Sequence, residues 1–431
     1  MKRSPAPRMI HRLLPRVPAP LVLVPALILL VTTVTIALDD DDDVPGAVEA
    51  FVSEGTILAE EIDSFIAPLF AGYTVPQAQH GAEIYTLFVR TRYPDGALTS
   101  VRVQLFVPRT RTTPDAVYLF APGSTGLIGP CRASREHEAG IHWGRYRAHV
   151  LAMVGQGFIG VLPDYMGFED PALVQPYFHA ASEAQVIFDA LEGSDAFLRD
   201  RYRARFPRGI APMTRVAGGF SQGGHAIFAA ADRNATVERD VSLHGVIGYG
   251  ATTEIEPLLL MYPSLGPMIA TSYVTVYGRN RFDPSEIFRE PWASDLEYDT
   301  TRQCVGGIQR YYPSDPSALY TPEFLASLRQ DTLGRTHPSI ARIFEENRTG
   351  LTRHGVPALI LQGTEDIVVS RETQDRYVAA LRARGNPVDY RIIRDERHDT
   401  RQVAFDDTVE WIRTLPGPTE TGPADPLYRR R

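Results

Sequence analysis

One serine in this chain is surrounded by almost no side chain: Gly219-Phe220-Ser221-Gln222-Gly223, within VAGGFSQGGHAIFAAA. The run fits G-x-S-x-G, in which a serine stands at the tip of a tight strand-to-helix turn and the glycines leave room for the neighbouring strand and helix. RVAGGF before it reads as a strand and GGHAIFAAA after it as a helix, which is the context the pattern requires. Serine attacks a carbonyl at neutral pH only with a base beside it and an acid to orient that base. In this architecture they follow in the order serine, acid, histidine. PALILQGTEDIVVS ends a predicted strand with Glu365 and Asp366, and His398 is the only histidine beyond them. Asp366 is preferred to Glu365 because it stands at the start of the next apolar turn. The expected chemistry is acyl transfer through Ser221, with His398 as base and Asp366 as its orienting acid.

The oxyanion formed in such an attack needs backbone N–H donors, one from the residue after the nucleophile and one from the loop after an earlier strand. Gln222 is the first. The loop APGSTGLIG offers the second, at Ser124 or Thr125, and its small residues let the backbone approach an ester. His225, one helical turn beyond Ser221, cannot double back to the serine and reads as a histidine packed beneath the site. His137, His142 and His149 lack an H-E-x-x-H pattern or supporting carboxylates, so neither a metal nor a cofactor is expected.

These residues need a scaffold that brings them together. AVYLFAPG, GFIGVLPDY, RVAGGFS, LHGVIGYG, PALILQGTED and VDYRIIRDERH are mostly apolar, as strands buried on both faces are. Helical patterns lie between them, in FHAASEAQVIFDALEGSDAFL, GGHAIFAAADRN and SRETQDRYVAALRARG. IYTLFVRTRYPDGALTSVRVQLFVP reads as a hairpin turning at Pro94-Asp95-Gly96. Strands alternating with helices give an α/β fold with a mostly parallel sheet flanked by helices. Residues 252–350 break the alternation and are too long for a bare loop, so they read as an inserted helical cap or lid. Leu258, Leu259, Leu260, Met261, Tyr262, Met268, Tyr273 and Tyr277 in it supply apolar surface either to pack the cap or to line an acyl pocket. The second use predicts kcat/KM rising from acetyl to medium-chain esters.

With these residues assembled, the chain resembles the α/β-hydrolase superfamily, and within it the secretory lipase family of the Candida antarctica lipase A type. GFSQGGHA is similar to that family's nucleophile turn, GFIGVLPDYMGF to its PDY-G segment, APGSTG to its oxyanion loop and LQGTEDIVV to its acid loop. The likeness spans roughly residues 53–413 and is dense only at these motifs. It implies an esterase or lipase with Ser221, Asp366 and His398 as triad and a helical lid. The chain departs from the pattern at Pro122, where the family usually carries histidine. Asp164 and Tyr165, matching PDY, are expected to brace the oxyanion loop.

A net charge of −8 gives no electrostatic case for nucleic acid as a partner. Lys2, Arg3, Arg8, Arg12 and Arg16 precede an apolar run from Leu21 to Leu38, and Asp39 to Asp43 follow it. That order directs the rest of the chain out of the cytoplasm, either through a cleaved signal or on an uncleaved membrane anchor. Consecutive aspartates cannot converge on one calcium ion without turns, so they read as a solvated flank. Cys131 and Cys304 are the only cysteines, and an even pair in an exported chain permits one disulfide, between the oxyanion loop and the cap. The expected layout is a signal or anchor at 1–38, an acidic linker at 39–52, core at 53–251 and 351–415 around the cap, and a tail at 416–431. The substrate is a small-molecule or lipid ester. Alternatives on the same fold are an acyltransferase, a peptidase, or a tethered binding protein without catalysis.

Overall fold

AVYLFA, at residues 116–121, is buried along its whole length, and the reason is that helices cover both faces of the sheet it joins. The structure is a computed structural model that describes residues 33–34, 44–110, 114, 116–236, 239 and 241–418. Its strands are β1 (Thr33–Val34), β2 (Val48–Ile57), β3 (Ala82–Arg92), β4 (Leu98–Pro108), β5 (Ala116–Ala121), β6 (Ile159–Pro163), β7 (Thr214–Phe220), β8 (Gly245–Tyr249), β9 (Ala358–Gly363) and β10 (Val388–Ile393). They form one sheet in the order β1-β2-β3-β4-β6-β5-β7-β8-β9-β10. Pairings are antiparallel as far as β4 with β6 and parallel from β6 to β10. The β3–β4 hairpin closes at Tyr93–Ala97, where the Gly96 N–H donates to the Tyr93 carbonyl.

The core helices are α1 (Ala59–Ile66), α2 (Tyr146–Gly155), α3 (Ala180–Arg201), α4 (Gln222–Arg233), α5 (Arg371–Ala383) and α6 (Phe405–Thr414). Alternate side chains of β5 divide between the two layers. Val117, Leu119 and Ala121 pack with Ile187 of α3, Ile227 of α4 and Leu381 of α5. Ala116, Tyr118 and Phe120 pack with Ile66 of α1, Leu151 of α2 and Ile412 of α6. Between β8 and β9 a set of short helices, from Ile255–Met261 to Pro338–Glu346, builds the cap around its own apolar cluster. That cluster takes in Leu127, Tyr177 and Phe178 of the core, so the cap rests on the loop after β5 and on the entry to α3.

The core starts earlier than the boundary read at residue 53. β2 begins at Val48, pairs with β3 from Val48 onward and buries Val48 and Phe51, so part of the segment expected as acidic linker belongs to the sheet. Of the apolar run Leu21–Leu38, only Thr33 and Val34 are among the described residues, and the rest of that expectation lies outside them. Among the described residues no helix is long and apolar enough to cross a membrane.

Candidate active site

At the end of β7 the backbone turns through Ser221 with φ 53° and ψ −113° and enters α4 at Gln222. A positive φ in a residue with a Cβ costs on the order of 1–3 kcal/mol and persists only where its surroundings impose it. Here they do. The Ser221 N–H donates to the Tyr249 carbonyl (3.1 Å), and its carbonyl accepts from Gly224 (2.9 Å) and Thr252 (3.1 Å). Neither flanking glycine has room for a side chain. A Cβ on Gly219 would stand 2.1 Å from the Gly223 carbonyl oxygen, and one on Gly223 would stand 2.0 Å from that of Ala121. The second distance also shows the loop after β5 lying against the turn, as the register Ala121↔Gly219 requires.

Asp366 and His398, expected as acid and base, meet at the same end of the sheet. Asp366, just after β9, has a fully buried side chain, whereas Glu365 is exposed. Asp366 Oδ1 accepts the N–H groups of Val368 (2.8 Å) and Val369 (2.9 Å). Its Oδ2 lies 2.8 Å from His398 Nδ1, and because a carboxylate only accepts, the proton sits on Nδ1. His398 Nε2 is then the acceptor nitrogen; it is buried and has no hydrogen-bond partner among the described residues. The ring lies 4.9 Å from that of Phe220, the residue before Ser221, and against the backbone of Gly250 at the end of β8.

Behind this ring a guanidinium is buried. Arg401, with no exposed surface, pairs with Asp399 (2.6 Å) and donates to the Gly144 carbonyl (2.7 Å). Its guanidinium lies over the rings of Phe220 (4.8 Å) and Tyr146 (5.4 Å), so Phe220 is held between Arg401 and His398. Burial by itself would raise the Asp399 carboxyl, but Arg401 and its hydrogen bonds outweigh it and hold the group at about 2.

Pro122 has no N–H to offer an oxyanion. On Gly123 a Cβ would stand 2.9 Å from the Tyr146 hydroxyl; the donors expected of this loop are Ser124 and Thr125. Ser124 Oγ lies 2.6 Å from the Tyr177 hydroxyl, and the Thr125 carbonyl accepts the Val305 N–H of the cap (2.8 Å). Gln222, as first residue of α4, has an N–H without an intrahelical acceptor. Tyr165 donates to the Pro122 carbonyl (2.8 Å) and so braces the loop, whereas Asp164 accepts both the N–H (2.8 Å) and the hydroxyl (2.5 Å) of Ser134 and holds the segment that follows it. Burial pushes the Asp164 carboxyl up to about 6 and lifts the phenols of Tyr146, Tyr165 and Tyr177 above the ordinary tyrosine range, where they stay neutral. Cys131 and Cys304 are joined by a disulfide with a Cα–Cα distance of 5.4 Å, packed on Gly126 of the same loop.

His225 is fully buried under the turn, with Nδ1 at Glu183 (2.5 Å) and Nε2 at the Asn347 carbonyl (2.7 Å). Of the apolar cap residues, Leu258, Leu259, Met268 and Tyr273 are consumed in the cap's own cluster. Packing, not an acyl pocket, accounts for them. A cleft of about 540 Å³ lined by Ala116, Phe158, Met213, Thr214 and Leu415 lies at the N-terminal ends of β5 and β7, the opposite end of the sheet from Ser221, and has no part in this chemistry.

Sequence reasoning did not single out Glu183, Tyr146, Tyr177, Arg401 or Asn347. For Glu183 a signal existed: it shares a helical stripe with Ala180, Ala184 and Ile187, where an acid must be buried. The others act through contacts distant in sequence and leave no local mark.

No protein-family model and no curated protein sequence matches the chain. Solved structures do. The rice cell wall degrading esterase LipA from Xanthomonas oryzae superposes with a TM-score of 0.70 at 17% identity, covering 86% of this chain and 98% of that one. A putative hydrolase from Legionella pneumophila gives 0.67 at 18%, covering 84% and 96%. Candida antarctica lipase A in its closed state gives 0.59 at 14%, covering 85% and 81%. Sheet order, the serine turn between β7 and α4, the helical insertion and these superpositions agree: the chain has the α/β-hydrolase fold, in a form that resembles Candida antarctica lipase A.

Proposed function

We propose that the protein is an exported serine hydrolase of carboxylic esters. The observation that carries this reading is the Asp366–His398 hydrogen bond of 2.8 Å, on a histidine whose other nitrogen is free and whose ring packs on the residue preceding Ser221. Ser221 Oγ attacks the ester carbonyl carbon while its proton passes to His398 Nε2, and Asp366 stabilises the resulting imidazolium. The N–H groups of Gln222 and Ser124 receive the oxyanion. Collapse breaks the carbon–oxygen bond, the alcohol leaves with the proton from His398, and an acyl-serine remains. Water, deprotonated by the same nitrogen, then releases the carboxylic acid and restores the serine.

The esterase and lipase named among the structural neighbours support ester chemistry, and the disulfide supports an oxidising compartment. The test is a panel of esters graded by acyl length, run with fluorophosphonate labelling on wild type and Ser221→Ala. We expect labelling at Ser221 and a fall in turnover of about 10³-fold or more in the variant. Turnover unaffected by Ser221→Ala would end the reading. Product analysis with added alcohol separates hydrolysis from acyl transfer, and N-terminal sequencing of exported protein separates a cleaved signal from an anchor.

A further inference from the structure

The ester mechanism makes no use of a buried acid–histidine pair that lies directly beneath the serine turn. Glu183 of α3 has a side chain 2% exposed, and His225 of α4 has none. Glu183 Oε1 accepts the Gln222 side-chain amide (2.8 Å) and the Phe178 N–H (3.1 Å), and Oε2 lies 2.5 Å from His225 Nδ1. His225 Nε2 meets the carbonyl of Asn347, the residue that ends the last cap helix. The Asn347 side chain in turn accepts from the Ala180 N–H (2.9 Å) and donates to the hydroxyl of Tyr277 in the cap (2.8 Å). One continuous run of hydrogen bonds therefore joins the cap to the side chain of Gln222.

Packing alone does not call for these groups, since apolar residues of the same size would hold α3 on α4 at least as well. Their effect falls on Gln222, whose N–H faces the developing oxyanion under the ester-hydrolase reading. Resting on that reading, we propose that Glu183 and His225 are positioning residues for the oxyanion donor. They hold the Gln222 side chain, and with it the first turn of α4, at a fixed distance from the cap. Neither residue touches substrate.

The test compares Glu183→Ala, Glu183→Gln and His225→Ala. A glutamine at 183 repeats every hydrogen bond: its carbonyl accepts from Phe178 and Gln222, and its amide donates to Nδ1 of a neutral His225 whose Nε2–H still meets Asn347. We expect Glu183→Ala and His225→Ala to lower kcat by about 10- to 100-fold, as displacement of a reacting geometry does, with KM unchanged. Labelling by an uncharged fluorophosphonate, whose phosphoryl oxygen occupies the oxyanion position, should slow in parallel, and Glu183→Gln should restore both rates. Should Glu183→Ala not fold, Gln222→Met severs the same link and carries the same expectation. A folded Glu183→Ala with wild-type kcat, or a Glu183→Gln as impaired as Glu183→Ala, overturns the proposal. Wild-type labelling that depends on Ser221 but is indifferent to Glu183 overturns this inference alone, whereas absence of Ser221 labelling in wild type overturns the ester reading and this one with it.

Discussion

Glu365 and Asp366 are neighbouring carboxylates with opposite surroundings. Glu365 is exposed; Asp366 is buried, held by two backbone N–H groups and turned onto His398. Orienting a base needs a carboxylate that cannot rotate away, and only the second meets that condition. We expect Asp366→Asn to lower kcat by about 10³- to 10⁴-fold, because an amide in that place favours the wrong imidazole tautomer. Glu365→Gln should leave kcat at the wild-type value. Steady-state kinetics on a soluble ester, with circular dichroism to confirm folding, checks both, and equal losses in the two variants would reassign the acid.

Among the elements, the loop after β5 is tied both to the core and to the cap. Its start is held by Tyr165 at Pro122, its middle by Val305 at Thr125, and its far side by the disulfide across 173 residues. A cross-link over so long a loop stabilises by about 5 kcal/mol in the chain-entropy model. We expect the double variant Cys131→Ser, Cys304→Ser to lose about that much stability in urea unfolding. Its kcat should fall as well, since the loop that carries Ser124 loses its covalent fastening to the cap. A double variant matching wild type in both would show that the Val305 and Tyr165 bonds suffice. Non-reducing peptide mapping of exported protein reports whether the bridge forms.

For the whole molecule, buried histidines set the response to acid. Burial, assisted by Arg233 and His225 at His179 and by Arg215 at His244, pushes both imidazoles down to about 4. His137, His149 and His354 shift in the same direction, again chiefly by burial. The unfolded chain protonates these rings near 6.5, whereas the folded chain protonates His179 and His244 only near 4 and the other three below their ordinary value. Between those values the unfolded state binds more protons, so stability falls as pH falls. Asp164, Asp189 and Glu256, whose carboxyls burial raises, act in the opposite sense but are fewer. We expect Tm to drop between about pH 6.5 and pH 4, and His244→Asn to flatten part of that slope. The asparagine oxygen can still accept the Arg215 N–H that His244 Nδ1 receives. A Tm that rises over this interval would contradict the assignment.

The strands that surround Ser221 were legible because each is a short apolar run bounded by turn residues, and the serine turn because its glycines are required locally. α2 was not legible, since every residue of it is buried, Arg147 and His149 included, and a helix buried on all sides carries no apolar stripe. β2 was not either: its burial alternates irregularly through two register shifts against β3. By itself the sequence determined the order of serine, acid and histidine, their places at strand ends, and hence the class of fold. Which of Glu365 and Asp366 faces His398 was decided only when the chain after β9 buried one carboxylate and exposed the other. Likewise the cap's leucines could be assigned to packing only once their neighbours were known. Arg401 behind Phe220 and Glu183 beneath Gln222 belong wholly to the tertiary structure. Each acts on a partner from a distant segment, and local sequence encodes a residue's own propensity and periodicity but not which remote side chain will be folded against it.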